Sequence, residues 1–361
     1  MTLSSSPPLA RPIRVLIVDD SVVVQKVLTR ELNRMPGISV VGVADDPYQA
    51  RERIAQLNPD ALTLDIEMPR MDGLTFLSKL MKHHPMPVIV VSSLTPEGSD
   101  TALRALALGA LEIVPKPSSQ YSVPDVAGHL AQALRAAATA RVVPRVSGPM
   151  PVANPDSRVR LRTTQRIMAI GASTGGTRAL ELVMPSLPAD SPPIVIVQHM
   201  PPDFTGPFAK RLDGLSAVRV REARDGEVLA SGVALVAPGG RHTRVVRSGA
   251  QYSIRIGDDP PVSHHRPSVD ALFASLAECA GPNALGVILT GMGADGAQGL
   301  LAMRAAGART LAQDEATSVV FGMPRVAASV GAVERVVPLS QVPVFARRWM
   351  DHPDSSFAEA V

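Results

Sequence analysis

Short runs of β-branched and apolar residues alternate with helix-compatible stretches along almost the whole chain, a pattern that leads to parallel sheets wrapped by helices. A first series has its apolar runs at 13–18, 40–44, 61–65, 88–92 and 111–114. A second has them at 167–170, 194–197, 233–236, 284–289 and 333–337. Between the two, from about residue 136 to 164, the pattern dissolves into Ala, Pro, Arg and Ser. Val143-Pro144-Arg145 and Gly148-Pro149-Met150-Pro151 suit neither a central strand nor a helix. A length of 361 residues also exceeds what one core usually holds. Two doubly wound α/β domains are therefore expected, at 12–130 and 165–350, joined by a Pro/Ala/Arg-rich linker over 131–164. No repeat of fixed period relates the halves.

Composition narrows the function classes. Cys279 is the only cysteine and falls in an apolar helical pattern, so no internal disulfide framework is possible and a core thiol in a reducing compartment is expected. Neither an apolar leader core in residues 1–11 nor a run approaching the roughly 20 apolar residues of a membrane span is present, so a cytoplasmic protein without membrane insertion is expected. The formal net charge is +3, with much of the basic surplus in Arg141, Arg145, Arg158, Arg160, Arg162 and Arg166. Aromatic residues for base stacking make up only 3%, so this cluster reads as a solvated linker and no nucleic-acid partner is expected.

Open parallel sheets collect their functional groups at the carboxyl ends of strands. In the first half those ends carry Asp19, Asp20, Asp65, Ser92 and Lys116. The three carboxylates could share Mg²⁺, a hard ion that leaves room for a phosphate oxygen, while Lys116 and Ser92 could pair with the phosphate. Simple helix capping would suit Asp20 and Asp72 but explains neither Asp65 nor Lys116-Pro117. These residues, with Met68-Pro69 and Asp72-Gly73, resemble the response-regulator receiver family over roughly 12–130. The resemblance implies a five-stranded flavodoxin-like fold and phosphoryl transfer from a histidine kinase to Asp65. It also implies Mg²⁺ held by Asp19, Asp20, Asp65 and the backbone carbonyl of Glu67, with Ser92 and Lys116 sensing the phosphoryl group. Receivers usually carry Phe or Tyr three residues before this lysine; here the residue is Ile113, so the familiar aromatic rotation is not available.

In the second half, three run ends offer a nucleophile, a base and an acid. Gly171-Ala172-Ser173-Thr174-Gly175 has the G-x-S-x-G spacing of a nucleophile elbow, a later run ends in Gln198-His199, and a third leads into Gly291-Met292-Gly293-Ala294-Asp295-Gly296. A dinucleotide cradle is disfavoured because the pattern is not G-x-G-x-x-G. A metal site at His242, His264 and His265 lacks acid or Cys ligands at helical spacing. These blocks, with Ala237-Pro238-Gly239-Gly240, His265-Arg266-Pro267-Ser268-Val269-Asp270 and Val320-Phe321-Gly322-Met323-Pro324, resemble the chemotaxis protein-glutamate methylesterases.

That resemblance implies phosphorylation-activated hydrolysis of glutamate γ-methyl esters on the cytoplasmic helices of methyl-accepting chemotaxis receptors, with deamidation of receptor glutamines in addition. Ser173 would attack the ester, His199 act as base and then acid, Asp295 orient the imidazole, and the Met292 N–H stabilise the oxyanion; the esterase would need no cofactor. The order Ser, His, Asp differs from that of the α/β-hydrolases, so the elbow match is local. His264 and Arg266 are expected to line the substrate cleft. The resemblance also implies that the unphosphorylated receiver covers this cleft; a flexible tether of about 35 residues would span roughly 30 to 35 Å and make a weak interface sufficient. A monomer is expected. The competing expectation is a non-catalytic response regulator whose second half is a receptor-binding scaffold, which failure of Ser173 to react with a serine-directed electrophile would favour.

Overall fold

In the computed structural model, which describes residues 11–68, 70–93, 95–118, 121–140 and 166–352, the first half is a regular strand-helix alternation. Its elements are β1 (Ile13–Val18), α1 (Val22–Asn33), β2 (Ile38–Ala44), α2 (Pro47–Leu57), β3 (Ala61–Asp65), α3 (Gly73–His83), β4 (Val88–Ser92), α4 (Pro96–Leu108), β5 (Glu112–Pro115) and α5 (Val123–Thr139). All five strands are parallel, in the order β2-β1-β3-β4-β5, so the strand order reverses between β1 and β3 and the crevice at their carboxyl ends opens there. β3 and β4 are buried along their whole length, as strands covered on both faces must be.

Polar caps start the helices. The side chains of Ser21, Asp46, Asp72, Thr95 and Ser122 each accept a hydrogen bond from a first-turn N–H, typically worth about 1 kcal/mol. Asp72 is thus a cap, as its sequence context suggests. Asp20 is not, because Ser21 takes that role and leaves Asp20 exposed. Helix α5 continues past the expected domain end at 130 to Thr139, since residues 131–138 are Ala, Leu, Gln and Arg, strong helix formers with no Pro or Gly among them. The remainder of the expected linker, 141–164, and Pro69 lie outside the described residues.

The chain divides into two compact units, Met1–Val146 and Ser147–Val361. The second contains β6 (Ile167–Ala172), α6 (Gly176–Val183), β7 (Ile194–Gln198), α7 (Pro202–Asp213), β8 (Arg219–Glu222), β9 (Val233–Val236), β10 (His242–Ser248), β11 (Gln251–Gly257), α8 (Val269–Cys279), β12 (Ala284–Ile288), α9 (Ala297–Ala305), β13 (Arg309–Gln313), α10 (Met323–Ser329), β14 (Arg335–Val337) and α11 (Val342–Asp351). Seven strands form a wholly parallel sheet in the order β14-β13-β12-β6-β7-β9-β8. β10 and β11 form a separate antiparallel hairpin. Val245, Tyr252 and Ile254 of that hairpin join Leu272, Phe273 and Leu276 of α8 in one apolar core.

Four strands carry no clear apolar run in the sequence. β8 is an edge strand of alternating exposed and covered residues, β13 reads Arg-Thr-Leu-Ala-Gln, and β10 and β11 are polar on one face. Arg166, grouped by sequence with the basic linker, instead donates to the carbonyls of Trp349 (3.3 Å) and Met350 (2.7 Å) and lies over the indole, tying the start of β6 to the end of α11. Cys279 is half-buried, its thiol donates to the Val245 carbonyl at 3.6 Å, and burial pushes its pKa up to about 11. Among the described residues, no helix is long and apolar enough to cross a membrane.

Candidate functional site

The central strands of the second sheet, β12, β6 and β7, bring Asp295, Ser173 and His199 together. In the register of β6 with β7, Ala172 lies opposite Gln198, so the next residues, Ser173 and His199, leave the sheet side by side; the His199 N–H donates to the Ala172 carbonyl at 3.1 Å. On the other side of β6 the Ser173 N–H donates to the Thr290 carbonyl at 3.0 Å, beyond the end of β12. The strand order reverses between β6 and β12, where doubly wound sheets open their crevice.

The turn after Ser173 is tight. The Gly176 N–H donates to the Ser173 carbonyl at 2.7 Å, and Gly175 holds φ of +78° in a space where a methyl group would come within 2.6 Å of Val319 Cβ. Only glycine meets both demands at that position. Gln198 clasps the turn by donating Nε2 to the carbonyls of Ser173 (2.9 Å) and His199 (3.1 Å). Gly291 lies directly against the serine, since a methyl group there would sit 2.7 Å from Ser173 Cβ. The Gly291 carbonyl accepts from Gly322 and Met323, whereas the Met292 N–H has no hydrogen-bond partner among the described residues.

Asp295 is 1% exposed and holds four hydrogen bonds. Its Oδ1 accepts from the Ser268 hydroxyl (2.7 Å) and the Asp270 N–H (3.0 Å), and its Oδ2 from the Val269 N–H (2.7 Å) and His199 Nε2 (2.8 Å). Two of these donors are first-turn amides of α8, whose dipole also favours negative charge. Burial alone would raise the Asp295 pKa, but the hydrogen bond and charge of His199, the Asp270 amide and the Ser268 hydroxyl outweigh it and lower the value to about 2. An ionised Asp295 requires the proton on His199 Nε2, which leaves a lone pair on Nδ1. That Nδ1 is buried without a hydrogen-bond partner. The pair can therefore accept a proton at Nδ1 and stabilise the resulting imidazolium at Nε2.

The segment between β11 and α8 closes over this pair. Val262 and His265 exchange backbone hydrogen bonds of 3.1 and 2.9 Å across Ser263 (φ 52°) and His264 (φ 65°), a two-residue turn of the type that needs positive φ at both central positions. Left-handed backbone costs a non-glycine residue roughly 1 to 2 kcal/mol. The turn lays the His265 ring on His199, with centroids 3.8 Å apart and planes 11° apart. A stacked pair contributes about 0.5 to 1.5 kcal/mol, less than two such residues cost. Of the two residues expected to line the cleft, His264 is exposed at the turn and Arg266 donates to the carbonyls of Asp258 (3.1 Å) and Asp259 (3.3 Å); it is His265, between them in sequence, whose ring meets His199. In the sequence His265 stands out only beside His242 and His264 and within the block 265–270, with no sign that it meets His199. His242 is also accounted for by hydrogen bonds, accepting at Nδ1 from the Ser268 N–H and meeting the Pro260 carbonyl with Nε2.

The first unit assembles a different cluster. Ligand oxygens of Asp19, Asp20 and Asp65 all lie within 4.8 Å of one another, the one such group of possible metal ligands among the described residues. Lys116 Nζ lies 2.5 Å from Asp65 Oδ2 and 3.5 Å from Asp19 Oδ2. The Glu67 N–H donates to Asp65 Oδ1 at 3.2 Å, and the Ser21 N–H to Asp19 Oδ1 at 2.9 Å. Burial raises the Asp65 pKa, and the Asp20 charge adds to it, against the opposing Lys116 and Glu67 contacts. Burial likewise raises Asp19, aided by Asp65 and Asp20. Asp19 Oδ2 is buried and accepts no hydrogen bond. Three clustered carboxylates with one such oxygen fit a hard divalent cation. Ser92, at the end of β4, turns its hydroxyl toward the carbonyls of Ser93 (3.3 Å) and Gly98 (3.4 Å), and Ile113 is buried in β5.

Comparison with known proteins bears on both units. Residues 168–345 match the family described as CheB methylesterase, and residues 15–126 match the response regulator receiver domain. Protein-glutamate methylesterase/protein-glutamine glutaminase 4 of Anaeromyxobacter dehalogenans is 55% identical over 336 residues, covering 92% of this chain and 93% of that relative. Protein-glutamate methylesterase/protein-glutamine glutaminase 2 of Syntrophus aciditrophicus is 52% identical over 334 residues, covering 91% and 97%. Among solved structures, the Thermotoga maritima CheB methylesterase catalytic domain is 38% identical, covers 50% of this chain and 96% of that one, and has a TM-score of 0.49.

Proposed function

Because the chain belongs to the CheB methylesterase family and carries a response regulator receiver domain ahead of the catalytic one, we propose that it hydrolyses glutamate γ-methyl esters on chemoreceptor cytoplasmic helices when its receiver is phosphorylated. The regulatory part is assigned to residues 12–139 and the catalytic part to 166–350. The observation that carries the chemistry is the placement of Ser173 and His199 at neighbouring strand ends, with His199 Nε2 2.8 Å from Asp295.

Ser173 Oγ attacks the ester carbonyl carbon while His199 Nδ1 takes its proton. The tetrahedral oxyanion is received by the Met292 N–H, and one such donor is typically worth about 3 kcal/mol. Collapse breaks the bond to methoxide, which leaves as methanol with the proton from His199. Water then attacks the acyl-enzyme with His199 again as base, releasing the glutamate side chain and restoring Ser173. A receptor glutamine in the same position loses ammonia in place of methanol. Asp295 stays ionised and steadies the imidazolium. His264 and Arg266, exposed on the rim, meet the receptor chain.

In the receiver, Asp65 is the phosphoryl acceptor and a histidine kinase the donor. Asp19, Asp20, Asp65 and the Glu67 carbonyl would hold Mg²⁺, which supplies positive charge to the phosphoryl oxygens. Lys116 moves from the Asp65 carboxylate to the phosphoryl group and Ser92 turns its hydroxyl to it. Phosphorylation then relieves restraint on the catalytic part, which takes about 3 to 5 kcal/mol of differential free energy. The protein acts as a monomer on its receptor substrate, without nucleic acid, membrane insertion or an esterase cofactor.

The test is covalent. A serine-directed phosphonate should label Ser173 and no other residue, as read by peptide mass spectrometry. Absence of labelling in folded protein would favour the scaffold reading.

A further inference from the structure

Resting on the assignment of His199 as the base, a second histidine has a place in the same reaction. One hydrogen bond at Nε2 leaves the His199 ring free to pivot about that bond, and its Nδ1 has no partner to stop it. What limits the pivot is the His265 ring lying flat on its face at 3.8 Å. The turn that presents His265 is costly in backbone conformation, and it is fastened from several sides. Ser263 donates its hydroxyl to Asp270 Oδ2 at 2.9 Å; Asp270 is buried and its Oδ1 accepts from the Gly299 N–H at 2.8 Å. The Gly240 N–H donates to the Arg266 carbonyl at 3.1 Å, and His242 meets the Pro260 carbonyl at 3.1 Å. Strain held in place by so many contacts beside reacting groups marks function better than it marks stability.

We propose that His265 is a positioning residue: its stacked ring fixes the plane of His199 so that Nε2 stays on Asp295 while Nδ1 presents its lone pair to Ser173. Its π-face also steadies the imidazolium formed in each half-reaction. Asp270 acts through this turn, since it ties the Ser263 hydroxyl to the first turn of α9 and its own N–H holds Asp295.

The test measures methanol release by the full chain from a methylated chemoreceptor cytoplasmic fragment, with a small phosphodonor and Mg²⁺. Because the cost is misorientation of the base, His265→Ala should lower kcat about 30-fold with KM changed less than about 3-fold. His265→Phe keeps a stacked ring and should retain at least about a third of the original kcat. Ser263→Ala, which loosens the turn without touching either ring, should fall between them and keeps the test decisive if His265→Ala does not fold. Unchanged kcat in His265→Ala, a rise in KM alone, a Phe variant as slow as the Ala variant, or full activity of Ser263→Ala in the absence of a folded Ala variant would overturn the proposal. Ser173→Ala in the same assay separates the two levels: its full activity would sink the serine mechanism itself, whereas its inactivity beside an unaffected His265→Ala sinks only the role of His265.

Discussion

Asp65 in the first unit and Asp295 in the second are both buried carboxylates at the carboxyl edge of a parallel sheet, yet their proton affinities move in opposite directions. Burial raises both. Asp295 is surrounded by donors from its own chain, namely two helix amides, a hydroxyl and an imidazole, and these outweigh burial. Asp65 has Lys116 and one amide, but Asp19 and Asp20 crowd it with like charge. The difference shows what each site waits for. Asp295 has its donors and counter-charge within the fold, whereas the acidic cluster is short of positive charge, as a site built to take a cation would be.

The largest test of this contrast removes the reacting group on the complete side. Ser173→Ala should lower the esterase rate on the order of 10⁶-fold with the fold intact, and a variant keeping a tenth of the activity would refute Ser173 as nucleophile. Asp295→Asn should cost about 10⁴-fold, because an amide no longer dictates which ring nitrogen of His199 carries the proton. A loss under tenfold would mean that His199 does not depend on Asp295. On the incomplete side, Asp65→Asn should leave basal activity near that of the unaltered protein and abolish stimulation by acetyl phosphate with Mg²⁺; equal stimulation would move the switch elsewhere.

The smallest expected effect is on stability. The folded pKa of Asp295, about 2, lies below its ordinary value of 3.8, so its stabilisation is complete above about pH 4 and is lost as pH falls toward 2. That loss amounts to about 2 kcal/mol. Asp19 and Asp65, held above their ordinary values, act with the opposite sign: they favour the folded receiver below the unfolded range and lose that contribution as pH rises through their folded range. Urea melts from pH 5 to 2 should therefore show a steeper acid loss in the unaltered protein than in Asp295→Asn. Parallel curves would remove the special standing of that carboxylate.

How much of this was legible in the sequence follows from burial. β1, β3, β4 and β9 begin and end where the apolar runs do, because strands covered on both faces read as continuous Val, Ile and Leu. Ser173, His199 and Asp65 were visible because they interrupt such runs at the end where a sheet gathers its chemistry. β8 and the β10/β11 hairpin were hidden because a half-covered strand keeps Arg and Ser on its open face. The role of Ser268 was hidden because a cap residue looks the same whether or not its hydroxyl also reaches an aspartate. His264 and His265 are adjacent, and only the turn register decides which ring faces inward. That turn contains neither Gly nor Asn, so its usual signal was missing.

The most direct measurement is methanol release from a methylated chemoreceptor cytoplasmic fragment, with and without a phosphodonor and Mg²⁺, comparing the unaltered chain with Ser173→Ala and Asp65→Asn. Release is expected to require Ser173 and to rise with the phosphodonor only when Asp65 is present. Release that persists without Ser173, or that rises equally without Asp65, would contradict this expectation.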